Sequence, residues 1–247
     1  MVRLSVNVNK VATLRNSRGG DVPSLVEAVQ VVLAAGARGI TVHPRADERH
    51  ITPRDVRDLA ALLAPRRADV EFNIEGDPRP DLLALVHEVR PHQCTLVPVK
   101  AGEITSQAGW PPGTPRQALA GVVADLRTAG VRVSLFVDPD VAAVAWAADL
   151  GADRVEIYTE PFARAFERGR EAAERGFAAC AAAAEQAHVL GLGVNAGHDL
   201  DLANLPLFRT LPHLEEVSIG HALISHALFV GLATAVRDYL AAVEVGG

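Results

Sequence analysis

Cysteine is nearly absent from this chain, with only Cys94 and Cys180 among 247 residues. Two are too few for the disulfide framework of a small secreted domain, so a reducing compartment is the expectation. Cys94 falls in an apolar strand-like run and Cys180 in an alanine-rich one, and both read as small core residues, not nucleophiles. Long apolar runs are missing as well. No uncharged stretch approaches the ~20 residues of a membrane-spanning helix. Met1-Val2-Arg3-Leu4 enters a β-like segment at once, with no basic-then-apolar leader, which predicts a soluble cytoplasmic protein. Basic charge is not in excess either. A net charge of −6 argues against nucleic acid as a partner, although a local arginine cluster can still hold a small phosphorylated ligand. No low-complexity linker divides the chain, so one domain is expected over 1–247.

What the sequence has instead is a repeated pattern: a short apolar strand that ends in a residue able to do chemistry. Leu4-Ser5-Val6 ends in Asn7, Gly39-Ile40-Thr41-Val42 in His43, and Val70-Glu71-Phe72-Asn73-Ile74 in Glu75. Val155 leads to Glu156, Gly193-Val194 to Asn195 and His198, and Val217-Ser218-Ile219 to Gly220-His221. Strands are predicted at 3–7, 39–43, 70–75, 94–98, 131–137, 154–158, 192–195 and 215–219. Helices are predicted at 22–35, 53–63, 80–89, 115–129, 139–149, 164–190, 201–209 and 222–243, with a break near Gly176. Helices end at Gly36, Gly130, Gly151 and Gly191, and Thr52-Pro53-Arg54-Asp55 reads as a helix start. Eight strands alternating with helices predict a single α/β domain, a closed (β/α)8 TIM barrel with extra helical segments. A doubly wound open sheet would carry a Gly-rich fingerprint after its first strand; Arg15-Asn16-Ser17-Arg18-Gly19-Gly20 is not one.

Barrel active sites gather at the C-terminal strand ends, which selects His43, Glu75, Glu156 and His198. Each alone could be structural. Together they form a proton-transfer set, because imidazole gives and takes protons near neutral pH. The run His43-Pro44-Arg45-Ala46-Asp47-Glu48-Arg49-His50 is either a solvated charged loop or an anion clamp, and Arg15 with Arg18 adds a second cationic patch. Gly220-His221 opens the last helix where barrels often hold phosphate. The same His and Glu residues could bind a divalent cation, but no paired-His spacing appears on one strand, so no metal is assigned.

The stretches Val6-Asn7 with Val11-Ala12-Thr13-Leu14-Arg15-Asn16-Ser17-Arg18, and Gly39-Ile40-Thr41-Val42-His43-Pro44-Arg45 with Arg49-His50-Ile51-Thr52, resemble the pyridoxine 5′-phosphate synthase family. So do Leu96-Val97-Pro98, Val194-Asn195-Ala196-Gly197-His198 and Ile219-Gly220-His221-Ala222, in unbroken order along the chain. The resemblance implies a cofactor-free barrel that condenses 1-deoxy-D-xylulose 5-phosphate with 3-amino-2-oxopropyl phosphate, giving pyridoxine 5′-phosphate, phosphate and water. It implies His43 as proton acceptor, Glu75 as general acid/base, His198 as proton donor and Glu156 as a stabiliser of transition-state charge. Asn7, Arg18, Gly220 and His221 would hold the amino-ketone phosphate; Arg45, His50 and Thr105 would hold the deoxyxylulose phosphate. A homo-octamer built from dimers is implied too.

The chain departs from the family pattern at three places. Asn9-Lys10 stands where many members carry Asp-His, Asp199 where Gly is frequent, and Asp77-Pro78-Arg79-Pro80 replaces a helical start. Asn9 can still hydrogen-bond a hydroxyl and Lys10 can hold an anion, so Asn9, Lys10 and Asp199 stay among the substrate-binding candidates. The alternatives to the synthase reading are a metal-dependent barrel hydrolase or isomerase, and a non-catalytic sugar-phosphate-binding paralogue.

Overall fold

Eight parallel strands close into a barrel in the order of the sequence, with β1 paired to β2 on one side and to β8 on the other. The computed structural model describes residues 2–99 and 106–244. The strands are β1 (Arg3–Asn7), β2 (Gly39–Val42), β3 (Glu71–Gly76), β4 (Gln93–Leu96), β5 (Arg132–Val137), β6 (Arg154–Tyr158), β7 (Gly193–Gly197) and β8 (Leu214–Ile219). The helices are α1 (Asn9–Asn16), α2 (Leu25–Ala34), α3 (Pro53–Leu63), α4 (Pro80–Val89), α5 (Ala120–Thr128), α6 (Val141–Asp149), α7 (Glu160–Glu167), α8 (Arg170–Val189), α9 (Leu205–Phe208), α10 (His221–Val230) and α11 (Leu232–Val243). The fold is the (β/α)8 barrel expected from the strand pattern.

Local chemistry explains where the elements begin and end. The Thr52 hydroxyl accepts from Asp55 N–H while the Asp55 carboxylate accepts from Thr52 N–H, a reciprocal cap that starts α3. Three expectations need correction. Helix α1 is absent from the predicted helices: Val8 at its N-cap offers no side-chain bond, so the usual start signal is missing. The segment 164–190 is two helices, and the break is at Gly169 (φ 110°) instead of Gly176. Gly176 lies inside α8, where a Cβ would stand 3.2 Å from the Phe162 backbone, so its smallness lets α8 press on α7. The last helix likewise divides, at Gly231.

Alternation along the strands separates two interiors. Leu4, Val6, Ile40, Val42, Phe72, Ile74, Leu135, Val155, Ile157 and Val217 belong to one apolar core that also takes in Val29, Leu59, Leu82, Leu126, Val144 and Cys180 from the helices. The intervening residues are mostly polar and face one another inside the barrel, Phe136 on β5 being an apolar one. Ser5 and Thr41 hydroxyls are 2.7 Å apart, Asn73 Nδ2 donates to Thr41 Oγ1 at 3.4 Å, and Thr95 Oγ1 donates to Asn73 Oδ1 at 3.1 Å. Near the N-terminal strand ends, Arg3 and Arg132 pair with Glu71, and Arg154 donates to Asn195 (2.7 Å) and to Glu215 (2.5 Å). Buried polar groups are tolerated when paired in this way.

Glu216, 1 % exposed, is less well satisfied: its Oε2 accepts no hydrogen bond among the described residues and has Arg3 Nε only at 3.7 Å. Burial and the charge of Glu71 push its carboxyl up to about 8, against the opposing pull of Arg3 and Arg154. A carboxyl with a raised folded-state pKa holds its proton longer folded than unfolded, so its contribution is lost as pH rises through about 8. Buried His43 and His198, whose values are lowered, act in the opposite sense, but only up to the ordinary histidine range near 6.5. Between pH 7 and 8.5, Glu216→Gln is therefore expected to lose less thermal stability than the wild type, by about 2–4 °C in Tm. Paired melts across that interval check it; parallel curves would refute it.

Candidate active site

At the C-terminal strand ends a cavity of about 450 Å³ opens, and the loops after β1, β2, β6, β7 and β8 supply most of its walls. Asn7, Asn9, Lys10, His43, Arg45, His50, Glu75, Glu156, His198, Asp199, Gly220 and His221 all line it, as anticipated from sequence. Arg18 does not; it is exposed beyond the end of α1. Arg15, read as part of a cationic patch, is engaged elsewhere. Its guanidinium holds Asp55 at 2.5 and 2.9 Å and the His50 carbonyl at 3.2 Å, tying α1 to α3. Thr105 lies outside the described residues. Arg49, from the run read as an anion clamp, lines the cavity as well, and Thr13, Ser106, Tyr158, Glu160 and Ser218 do so without having been anticipated. Tyr158 had a signal, since it stands two residues beyond Glu156 on the same strand and so points the same way.

The β1–β2–β3 side holds the first reactive pair. Asn7 Oδ1 accepts from Asn9 N–H at 3.0 Å, and Asn9 Oδ1 accepts from His43 N–H at 2.9 Å, so the chain after β1 fixes the end of β2. His43 Nδ1 lies 3.9 Å from Glu75 Oε2, which also accepts from Asn7 Nδ2 at 3.4 Å. The other ring nitrogen, His43 Nε2, is buried with no hydrogen-bond partner among the described residues. Burial lowers the His43 pKa well below the usual imidazole range, and His50 and Arg45 add to the effect. Glu75 shifts the other way: burial first, then the charges of Glu156 and Glu216, hold its carboxyl well above the ordinary range. Burial thus favours the neutral imidazole of His43 and, beside it, the protonated form of the Glu75 carboxyl.

A cationic wall stands next to it. Lys10, Arg45 and Arg49 surround His50, whose ring centroid is 6.1 Å from that of His43. Burial, then Arg45, Lys10 and Arg49, bring the His50 pKa down to about 4. Ile51 N–H donates to His50 Nδ1 at 2.9 Å, so the neutral ring carries its proton on Nε2 and presents a donor.

Across the cavity, Glu156 on β6 is fully buried and burial pushes its carboxyl up to about 7, with the nearby Thr95 hydroxyl pulling back. His198 follows β7 in the left-handed region (φ 81°), as does Asp199 (φ 59°), a conformation that non-glycine residues seldom adopt. The Thr159 hydroxyl bonds the carbonyls of Gly197 (2.7 Å) and His198, which holds the turn in place. Burial lowers the His198 pKa, while Asp199 and Glu160 oppose it. Tyr158 donates its hydroxyl to Glu160, which Arg164 also grips. Among the described residues, no group of three or more His, Cys, Asp or Glu side chains is arranged to hold a metal ion.

A family model described as Pyridoxal phosphate biosynthesis protein PdxJ matches residues 4–245. A curated pyridoxine 5′-phosphate synthase of Christiangramia forsetii is 51% identical over 241 residues, covering 97% of this chain and 98% of that protein. Those of Cytophaga hutchinsonii (97% and 98% covered) and Leptospira biflexa (100% and 98%) are 50% and 47% identical. Among solved structures, a phosphoribosyl anthranilate isomerase from Thermus thermophilus superposes with a TM-score of 0.58 at 16% identity, covering 98% of each chain. That likeness reaches the barrel and no further.

Proposed function

This chain belongs to the PdxJ family of pyridoxal phosphate biosynthesis proteins, and from that premise we propose how its cavity works as a pyridoxine 5′-phosphate synthase. The enzyme serves pyridoxine biosynthesis. Its substrates in this reading are 1-deoxy-D-xylulose 5-phosphate and 3-amino-2-oxopropyl phosphate, and it closes the pyridine ring between them. The observation that carries the reading is the pairing, in one cavity, of separate anion-holding groups with acids and bases tuned in opposite directions.

Two phosphorylated substrates need two anion sites. Lys10, Arg45 and His50 suit the deoxyxylulose phosphate, with His50 Nε2–H as a donor. Gly220 and His221 open α10 at the cavity, where unpaired amides suit the phosphate of the amino-ketone, beside Asn7. A Cβ on Gly220 would come within 3.1 Å of Asn7, so glycine keeps that approach open. Imine formation, phosphate loss, water addition and aldol-type closure each move protons. His43 takes them, because its ring stays neutral at neutral pH. Glu75 gives and takes one at the same place, and Glu156, near pH 7, balances the charge that develops. His198, once protonated, is a ready donor because its pKa is low. Holding both substrates together removes much of the entropic barrier.

Self-assembly into an octamer of dimers belongs to the same reading. Leu228 and Phe229 on α10 are 71 % and 88 % exposed, and such apolar side chains support contact with further copies. Both cysteines are free and buried, and no helix among the described residues is long and apolar enough to cross a membrane; a cytoplasmic site of action fits.

The purified protein, given both substrates and no added metal, is expected to release phosphate and form a pyridine chromophore. Absence of product at high enzyme concentration would overturn the reading. Binding of the deoxyxylulose phosphate without turnover would point to the non-catalytic paralogue instead.

A further inference from the structure

Three aromatic and apolar side chains form a small cluster of their own at the barrel mouth, apart from the main core: Val97, Phe136 and Tyr158. Phe136 is an apolar residue at an inward position of β5, in register with Glu156 on β6. Its backbone carbonyl is pinned by Trp110 N–H at 2.8 Å, and it is fully buried. It does not line the cavity. What it touches is the imidazole that does. The Phe136 and His198 ring centroids are 4.8 Å apart, and the Tyr158 ring meets His198 edge-on at 5.5 Å and 82°. Phe136 and Tyr158 are themselves T-shaped at 5.2 Å, so three rings brace one another.

This arrangement has a plain purpose. His198 sits on a left-handed turn whose backbone is tied to Thr159; its ring interacts with the Gly197 backbone, but Nδ1 is buried with no partner at hydrogen-bond geometry among the described residues. A catalytic histidine is ordinarily oriented by a strong bond to its second nitrogen. Here packing takes a large share of that work. We propose that Phe136 is a positioning residue for His198, its ring forming with Tyr158 an apolar clasp that fixes the imidazole's orientation and keeps its inner nitrogen dry. The proposal rests on the reading of His198 as the proton donor. The charged and titratable groups facing His198 are Asp199 on its own loop, Glu160 at the start of α7 and His43 across the cavity.

The test compares Phe136→Leu with Val97→Ala, which loosens the same cluster from β4's end, in the full-length protein. Steady-state turnover with both substrates gives kcat and KM, and NMR of 15N-labelled imidazoles, without substrates, follows the His198 titration. Phe136→Leu is expected to lower kcat by about 100-fold, the scale of a small misplacement of a reacting group. KM for each substrate stays within about threefold, since ground-state binding is untouched. The His198 midpoint moves up toward the ordinary imidazole range, because water reaches the ring. Val97→Ala keeps the wild-type kcat and titration. Should Phe136→Leu fail to fold, Phe136→Met, unbranched and better able to fill the irregular space, carries the same expectations. Wild-type kcat in the Phe136 variant, an unmoved His198 titration, or an equal loss in Val97→Ala overturns the proposal. A wild-type protein that releases no phosphate sinks the reaction assignment alone, because the titration comparison still reads the clasp.

Discussion

His43→Ala is expected to turn over about 1,000-fold more slowly than the wild type with both substrates bound, within the range that a positioned acid–base group contributes. The expectation follows from how the residue is built in. Its amide is held by Asn9, its Nδ1 faces Glu75 at 3.9 Å, and burial with the nearby Arg45 charge keeps its ring neutral. A neutral imidazole needs no prior deprotonation to act as a base, so the His43 limb of the pH–rate profile should lie below the ordinary imidazole range in the wild type. Alanine removes the base but leaves Lys10, Arg45 and His50 in place, so KM for the deoxyxylulose phosphate should change little. Measured kcat within tenfold of the wild type would remove His43 from the chemistry.

Gly197→Ala should nearly silence the enzyme from a position that offers no functional group. A Cβ there would stand 2.5 Å from Glu156 Oε1 and 3.3 Å from the Ser218 carbonyl. The Glu156 carboxyl is enclosed on β6 and has little room to retreat, so it must leave its place beside Thr95. A loss of about 100-fold in kcat is expected, with about 1–3 kcal/mol of stability from overpacking. Gly193→Ala, at the other end of β7, is the contrast. Its Cβ meets Glu215 and Arg154 at the far end of the barrel, so stability falls while kcat holds. Equal kcat losses in the two variants would mean that general loosening, not Glu156, is responsible.

The barrel was legible because its strands announce themselves. Each is short and β-rich, most are closed by a polar residue, and parallel topology carries those endings to one rim. Twelve of the candidate site residues line the cavity, some at those endings and others, such as Arg45 and His50, in the loops that the family resemblance picked out. What stayed hidden depends on partners distant in sequence. Arg15 looked like an anion ligand, but Asp55, forty residues on, holds it. Asn9 looked like a weakened substrate contact, yet its amide oxygen accepts the His43 N–H, a bond an Asp oxygen would make equally. The departure at that position therefore preserves the scaffold even though Lys10 changes the wall. Helix α1 went unseen because a Val cap leaves no mark in the sequence.

The hydrogen-bonded barrel interior has a thermodynamic consequence. Unfolding an ordinary barrel hydrates layers of Val, Ile and Leu, and each square ångström of that apolar surface raises the heat capacity. Here Ser5, Thr41, Asn73, Thr95, Glu156 and Asn195 take those places, and hydrating polar surface lowers it. The two contributions partly cancel, so the heat-capacity increment per residue is smaller than the chain's size would suggest. Its stability then varies gently with temperature, on a curve broad and shallow instead of steeply domed.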